Sequence, residues 1–294
     1  MQYKKKLLLT LLSSLFLLLA YYHISTKYIP TKIKKIYLTL PHLPEEFEGL
    51  TIGHLSDLHC GNFKNKEELA KGIDLLMQEA PDIIFITGDV IERYVEEIQA
   101  CSTILKRIKA KEGIYVILGN HEYGPTHLHK ARDSKHIAAI KKAEEALGWK
   151  LLLNENHMIT REKSTLAIIG VENYSTGVWP TYGDLTKASQ GTEKANVRLL
   201  LSHDPTHWEA EVIDHPHHID ITFSGHTHGA SFKITRGPKK RMHFYIYKQY
   251  NGLYEKNNHK LYVSSGLGHS KRFGRRLKKR EVTLFLLSNK QQSN

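Results

Sequence analysis

Cysteine is nearly absent from this sequence, which has two, Cys60 and Cys101, in 294 residues. Two thiols are too few for a disulfide-linked scaffold or for a zinc module built from thiolates. Because 40% of the residues are hydrophobic and 24% are charged, the composition excludes wholesale disorder and collagen-like repeats, and the chain is long enough to bury a full core. Histidine, by contrast, occurs 19 times, which invites a search for metal ligands.

Acidic residues are missing from the two most basic parts of the chain, residues 1–35 and 271–280. Each part holds seven lysines or arginines, so together they contribute +14 to a net charge of +12, and all other residues sum to −2. A nucleic-acid-binding protein carries its positive charge on the folded body, so no nucleic acid is expected as a partner. Basic segments beside a hydrophobic run and near the C-terminus suit an anionic membrane surface, with a solvated basic tail as the alternative.

A hydrophobic run covers residues 7–24 and follows three lysines. Its length suits a membrane-spanning helix, and Tyr21 and Tyr22 suit a membrane interface. The same tyrosines follow Ala20, where a signal peptide would have a small residue at its cleavage site. We therefore expect an uncleaved, single-pass membrane anchor over residues 1–25, with a cleaved signal as the alternative. Lysines flank the run on both sides, and their count does not decide the orientation.

The rest of the chain is predicted to be a linker with a lead-in strand over residues 26–47 and one domain over 48–290. Short apolar runs alternate with amphipathic stretches, which predicts strands at 51–56, 82–87 and 114–118 and helices at 65–79, 94–110 and 134–147. Beyond residue 150 the sequence is rich in strands, including one at 243–248. This order predicts an α/β (α+β) fold in which a two-sheet β-sandwich is flanked by helices.

Residue types that bind metals follow the ends of five predicted strands, in the segments LSDLH, TGD, LGNHE, LLSHD and SGHTH. Turns at the carboxyl ends of strands gather at one edge of an open sheet, so residues far apart in sequence can converge there. Each segment is a weak signal alone, because isolated Asp-x-His and His-x-His pairs are common on protein surfaces. Five in succession indicate a metal centre. They contain Asp57, His59, Asp89, Asn120, His121, His203, His226 and His228.

The order of these segments resembles that of the calcineurin-like metallophosphoesterases, over roughly residues 48–287. LGNHEY, LLSHDP, SGHTHG and LYVSSGLG are similar to the membrane-associated bacterial branch that includes the YkuE and YaeI proteins. The resemblance implies the calcineurin-like fold and two divalent metal ions, with manganese expected and iron, zinc or magnesium as alternatives. The family pattern assigns one ion to Asp57, His59, Asp89 and His228, and the other to Asp89, Asn120, His203 and His226.

The resemblance also implies roles for three residues that bind no metal. His121 matches the family position beside the leaving oxygen, where it acts as a general acid or an electrostatic aid. Glu92 and Arg93, in GDVIER, resemble the G-D-x-x-D-R run of protein-phosphatase relatives. We expect Glu92 to orient His121 and Arg93 to contact phosphate, with a solvated pair at the start of a helix as the alternative for both.

The resemblance implies a phosphodiesterase that hydrolyses a phosphate ester by a metal-activated hydroxide. The hydrophobic run and the basic segments add the expectation that the enzyme is membrane-associated and its substrate lipid-linked. One alternative is a pyrophosphohydrolase that cleaves UDP-2,3-diacylglucosamine in lipid A synthesis, and another is a non-catalytic scaffold of the same fold. GHTHGAS and Ser265 depart from the branch pattern at the cleft rim, so the sequence leaves the substrate open. Tyr174, Trp179 and Tyr182, in a long loop, are candidates to line that cleft or to pack the loop.

Overall fold

The computed structural model divides the chain into two units, Met1–Pro30 and Thr31–Asn294. It describes residues 13–14, 30–63, 65–123, 134–177, 179–229, 231–236, 240–245, 247–268 and 280–290. The predicted anchor over residues 1–25 therefore lies outside the described residues, apart from Ser13 and Ser14, which are helical. Within the described ranges, no helix has the length and apolar character needed to cross a membrane.

Strands dominate the second unit. Those in the described ranges are β1 (Lys32–Thr39), β2 (Thr51–Leu55), β3 (Ile83–Thr87), β4 (Ile114–Ile117), β5 (Lys150–Leu151), β6 (Glu155–Arg161), β7 (Ser164–Gly170), β8 (Val197–Leu201), β9 (Ile221–Ser224), β10 (Ser231–Arg236), β11 (Lys240–Tyr245), β12 (Gly252–Lys256), β13 (His259–Val263) and β14 (Glu281–Ser288). The helices are α1 (Glu67–Met77), α2 (Glu96–Leu105), α3 (Ser134–Glu145), α4 (Leu185–Ala188) and a π-helix, Trp208–Val212. Short 3₁₀ turns occur at Glu45–Phe47, Cys60–Asn62 and His121–Tyr123.

The strands form two mixed six-stranded sheets and a separate hairpin of β10 and β11. The first sheet has the order β1-β14-β2-β3-β4-β5, and the second has the order β12-β13-β9-β8-β7-β6. β2, β3 and β4 run parallel, as do β7, β8 and β9, whereas β14 pairs antiparallel with β2. The carboxyl ends of the parallel strands therefore lie along one edge of each sheet.

Side chains alternate along each strand and so divide the apolar residues into three layers. Phe85 of β3 and Leu199 of β8 belong to the cluster between the two sheets. Ile84 of β3 packs in the cluster that contains residues of α1, α2 and α3, and Leu200 of β8 packs with Trp208 of the π-helix. The predicted two-sheet sandwich with outer helices is confirmed.

The predictions fail mainly at the less regular strands. β10 and β12 were not predicted, and the strand predicted at 243–248 is observed at Lys240–Tyr245, because pairing of β11 with β10 sets its position. The helix predicted over 94–110 is shorter, Glu96–Leu105. The segment predicted as a linker with a lead-in strand contains β1, which pairs in parallel with β14 from Lys32 to Thr39.

Arg280, the last residue of the basic run 271–280, is buried instead of belonging to a solvated tail. It is 4% exposed, its guanidinium pairs with Glu68, and it lies 5.1 Å from the centre of the Phe63 ring. Its charge is paired inside the fold instead of being presented to solvent. The segment predicted to bind membranes therefore reduces to residues 271–279, which lie outside the described residues.

Candidate metal centre

The predicted metal ligands lie beyond the carboxyl ends of parallel strands in both sheets. Asp57, Asp89 and Asn120 follow β2, β3 and β4, and His203 and His226 follow β8 and β9. Parallel strands present these ends at the same edge of a sheet, and the two edges meet here. All seven predicted ligands are at most 7% exposed, and they lie together in one buried cluster.

A first group of donors joins Asp57, His59 and His228, whose ligand atoms lie within 4.8 Å of one another. His59 Nε2 is 3.1 Å from His228 Nε2, and His228 Nε2 is 3.6 Å from Asp57 Oδ1. Asp57 and His59 follow a strand of the first sheet, whereas His228 follows a strand of the second. They are three of the four residues predicted to hold one of the ions.

A second group joins Asp89, His203 and His226 within the same distance. His203 Nε2 lies 3.2 Å from Asp89 Oδ2, 3.2 Å from His226 Nδ1 and 3.1 Å from Asn120 Oδ1. Asp89 Oδ2 also lies 3.7 Å from His59 Nε2 of the first group. One carboxylate oxygen is therefore next to both groups, which is the position that a bridging ligand requires.

The orientation of the imidazoles fits divalent cations. His203 Nδ1 donates to the carbonyl oxygen of Thr87 at 2.7 Å, which directs its Nε2 into the cluster. His59 Nδ1 lies 3.0 Å from a carboxylate oxygen of Glu92, while its Nε2 faces His228. Contacts of this kind orient the metal-ligating histidines of known metal sites. The mixture of imidazole, carboxylate and amide donors fits two divalent ions without singling out one metal.

The carboxylate of Asp89 and the imidazole of His203 influence each other's ionisation, because both are buried and lie 3.2 Å apart. Burial opposes the charge on Asp89, but the imidazoles of His203 and His121 hold its pKa well below the usual range. Burial likewise lowers the pKa of His203, yet the charge of Asp89 outweighs this effect and raises it to about 10. A metal ion held by His203 requires the neutral imidazole, so binding an ion at this position would be coupled to release of a proton.

A profile of the calcineurin-like phosphoesterase family matches residues 50–230. This chain belongs to that family. It is 30% identical to the YkoQ metallophosphoesterase of Bacillus subtilis, over 75% of this chain and 77% of that protein. It is 27% identical to the YkuE metallophosphoesterase of the same organism, over 84% of this chain and 82% of that protein. The family predicted from the sequence is confirmed.

A vertebrate relative has a longer chain. A protein of Danio rerio named "Transmembrane protein with metallophosphoesterase domain" is 26% identical to this chain over 85% of it, and the match spans 56% of the Danio rerio protein. The chain is therefore a member of the metallophosphoesterase family that carries candidate metal ligands.

His121 stands beside the cluster, with its Nε2 4.0 Å from Asp89 Oδ2. Its Nδ1 donates to the main-chain carbonyl of Glu92 at 2.7 Å, whereas the nearer carboxylate oxygen of Glu92 is 3.9 Å away and lies closer to His59. Glu92 thus contacts His121 through its backbone and His59 through its side chain. Burial lowers the pKa of His121, but the charge of Asp89 and the hydrogen bond to Glu92 raise it above the ordinary value.

The loop that carries Glu92 and Arg93 is held by Glu97, which the sequence analysis did not single out. The Glu97 carboxylate accepts hydrogen bonds from the main-chain N–H groups of Gly61, Glu92, Arg93 and Tyr94, at 2.6 to 3.0 Å for the first three and 3.2 Å for the last. A glutamate in the first helical turn is a common helix-start signal, but its contact with Gly61 depends on the fold. The Arg93 side chain is exposed, and its contact with phosphate stays a prediction.

Glu122 holds the turns that carry the bridging carboxylate. Its carboxylate accepts hydrogen bonds from the N–H groups of Asp89 at 3.0 Å, Ile91 at 3.2 Å and Gly119 at 2.7 Å. Burial and the neighbouring Asp89 charge raise the pKa of Glu122 to about 7. The sequence analysis did not identify this role, because the partners of Glu122 are main-chain groups from two different loops.

A chain of buried hydrogen bonds reaches Asp57 from the core. His54 Nε2 contacts Thr87 Oγ1 at 2.9 Å, Thr87 Oγ1 donates to Ser56 Oγ at 2.9 Å, and Ser56 Oγ donates to Asp57 Oδ2 at 2.6 Å. The close approach also requires Gly225, since a Cβ there would lie 2.3 Å from Asp57 Oδ2. Sequence spacing alone gives no sign that Thr87 and Ser56 share this network.

Proposed function

We propose that this protein is a membrane-associated phosphodiesterase with a binuclear metal centre. The observation that carries the proposal is the position of Asp89 Oδ2 next to two groups of imidazole donors, with His121 beside them. Two divalent ions bound there would supply the Lewis acidity that activates water and neutralises charge on the phosphoryl oxygens.

His121 is the residue best placed to handle the proton of the leaving group. Its Nδ1 is fixed by the Glu92 carbonyl, so its Nε2 is the nitrogen that faces the cluster. In its protonated form this nitrogen can donate to the leaving oxygen as a general acid. Glu92 therefore orients two imidazoles, that of His121 through its main-chain carbonyl and that of His59 through its carboxylate.

The proposed membrane association is supported by two features of the sequence and by the name of one relative. The hydrophobic run in residues 7–24 and the basic residues 271–279 suit an anionic bilayer, and the Danio rerio relative is named a transmembrane protein. We expect the natural substrate to be a phosphate ester that resides at this surface. Manganese is the metal that we expect in the cell.

An activity screen of the full chain in detergent tests the proposal. The protein is loaded separately with Mn²⁺, Fe²⁺, Zn²⁺ and Mg²⁺ and assayed with p-nitrophenyl phosphate, bis(p-nitrophenyl) phosphate and UDP-2,3-diacylglucosamine, with Asp89→Asn as the control for contaminating activity. We expect the diester to give the highest kcat/KM. Preference for the monoester would contradict the phosphodiesterase, and preference for UDP-2,3-diacylglucosamine would favour the pyrophosphohydrolase instead.

A further inference from the structure

His226 follows β9 and is fixed in the candidate metal centre through its main chain. Its N–H donates to the carboxylate of Asp57, whose two oxygens both lie 3.1 Å away. Its ring presents Nδ1 to the cluster, 3.2 Å from His203 Nε2. The other ring nitrogen, Nε2, points away from the cluster and faces Tyr247 and Asp204. His226 therefore offers an ion its Nδ1, whereas His203 offers its Nε2.

The position of the proton on the His226 ring decides whether Nδ1 can bind a metal. A neutral imidazole carries its proton on one nitrogen, and only the other nitrogen has a free lone pair. Two oxygens lie beside Nε2, Tyr247 Oη at 2.8 Å and Asp204 Oδ2 at 3.5 Å. A hydroxyl can donate or accept, so Tyr247 leaves the proton free to occupy either nitrogen. An ionised carboxylate only accepts, so Asp204 favours the proton on Nε2.

Asp204 is placed to accept that proton. The residue is 1% exposed, and its Oδ1 accepts the main-chain N–H of Thr206 at 2.9 Å, in the turn that aspartate forms with the residue two positions later. Its Oδ2 is also buried and accepts no hydrogen bond from the part of the chain that the structure describes. A buried acceptor left unpaired costs free energy, and the Nε2–H of His226 is a donor close enough to satisfy it.

We propose that Asp204 is a positioning residue of the metal centre, whose Oδ2 accepts the Nε2–H of His226 and so keeps Nδ1 available to the ion assigned to His203 and His226. Carboxylates in contact with metal-ligating histidines fix the ring and make it a stronger ligand. The inference rests on the binuclear centre of the proposed function. A residue that only formed the turn at Thr206 would have no effect on the His226 ring.

Asp204→Asn separates these two roles. Its amide oxygen can keep the hydrogen bond from the Thr206 N–H, which places the amide N–H₂ group against His226 Nε2. An N–H₂ group donates, so it favours the proton on Nδ1 and blocks that nitrogen. The full chain in detergent is titrated with Mn²⁺ by calorimetry. We expect the native chain to bind two ions, and the variant to bind one of them about 10–100-fold more weakly with little change for the other.

The position of the proton can be measured without metal. The full chain is labelled with ¹⁵N-histidine, and the His226 signals are identified by their absence in His226→Ala. In mildly alkaline buffer, where imidazole is neutral, we expect the proton on Nε2 in the native chain and a shift towards Nδ1 in Asp204→Asn. Asp214→Asn, at an exposed aspartate, is the matched control and should resemble the native chain in both measurements.

Three results would overturn the inference: a native His226 with its proton on Nδ1, an Asp204→Asn variant with the native proton position, or native Mn²⁺ affinities in that variant. The two proposals fail separately. Two bound ions, one of which depends on Asp204, without hydrolysis of any phosphodiester contradict the proposed function alone. Hydrolysis of bis(p-nitrophenyl) phosphate by an Asp204→Asn variant that binds both ions with native affinity contradicts the role of Asp204 alone.

Discussion

The backbone at most of the predicted ligands has positive φ. Values between 44° and 67° occur at Asp57, His59, Asp89, His226 and His228. Residues other than glycine held in this region cost of order 1–3 kcal/mol each, and such conformations cluster at functional sites. Asp and His tolerate it better than most residue types. The buried hydrogen bonds around these turns offset the cost, and the result is that the side chains point at one another.

Asp89→Asn tests the bridging position. Asn tolerates positive φ and keeps the size of the side chain, so we expect the variant to fold. The lost charge should release both metals, and affinity and turnover should fall by more than the 10–100-fold typical of losing an outer partner. Elemental analysis and the diester assay measure both. An active Asp89→Asn variant that still binds two metals per chain would contradict the bridging role of Asp89.

His121→Ala tests the proton donor. We expect both metals to stay bound and kcat to fall by about 10²–10⁴-fold for an alkyl ester, because general acid catalysis is lost. The loss should be smaller for a p-nitrophenyl ester, since nitrophenolate leaves without needing a proton. Measuring kcat of the native enzyme and the variant with both esters tests this role. An equal fall in kcat for the two esters would contradict His121 as the proton donor.

His54 links stability to pH through its burial. Burial lowers the pKa of His54 to about 3, compared with 6.5 in the unfolded chain. Between these values the unfolded chain binds a proton that the folded chain does not, so the free energy of unfolding decreases as the pH falls from about 6.5 to about 3, by up to about 1.4 kcal/mol per pH unit. His54→Gln keeps an N–H donor for Thr87 and should flatten this slope in urea unfolding. If the free energy of unfolding depends on pH equally in the variant and the native chain, the prediction for His54 is wrong.

Among the elements, α2 is tied to two active-site loops through Glu97. Hydrogen bonds to a charged group contribute about 1.5–3 kcal/mol each, and this carboxylate accepts four. Glu97→Gln removes the charge and places an N–H₂ group against main-chain donors. We expect kcat to fall by about 10–100-fold because the loop that contacts His121 and His59 shifts. Glu96→Gln, at the exposed neighbour, should leave kcat unchanged.

A double-mutant cycle separates positioning from general destabilisation. If Glu97 acts through the Glu92–His121 contact, Glu97→Gln should lower kcat less in a His121→Ala background than in the native chain. Fully additive losses in the cycle would show that Glu97 does not act through the Glu92–His121 contact.

For the whole molecule, the charge distribution predicts where a membrane surface binds. A chain that begins at Thr31 contains every strand in the described part of the structure, including β1, and keeps the basic segment 271–279. We expect it to bind anionic vesicles in a salt-sensitive way, because surface attraction is screened over about 8–10 Å at physiological salt. Neutralising Arg275, Arg276, Lys278 and Lys279 should weaken binding by about 1 kcal/mol per charge.

The control for this prediction is neutralisation of four exposed lysines on the body, which should leave vesicle binding nearly unchanged: Lys106, Lys109, Lys142 and Lys194. Arg280 is kept in both variants, since its pairing with Glu68 makes it part of the fold. Co-sedimentation with vesicles measures binding, and turnover of bis(p-nitrophenyl) phosphate should not change in either variant. Equal vesicle binding by both variants would mean that residues 271–279 are only a solvated segment.

The sequence by itself determined the identity of the residues in the cluster and the overall layering. Asp57, Asp89 and Asn120 each follow a run of apolar residues that alternate between two buried faces, so strand ends could be located from local pattern alone. The edge of a parallel sheet then requires these residues to be neighbours. His203 and His226 follow the same rule in the second sheet, and the order of the motifs was enough to assign the family.

Only the tertiary structure decided how those residues are held and what surrounds them. Glu97 and Glu122 act through main-chain N–H groups, which leave no trace in the sequence, and Glu92 contacts His121 through its carbonyl instead of its carboxylate. Arg280 looked like part of a charged run, yet it packs on Phe63. Local patterns record which face of an element is buried. Contacts between loops from different strands depend on how the two sheets meet, and that is set by the packing of the whole chain.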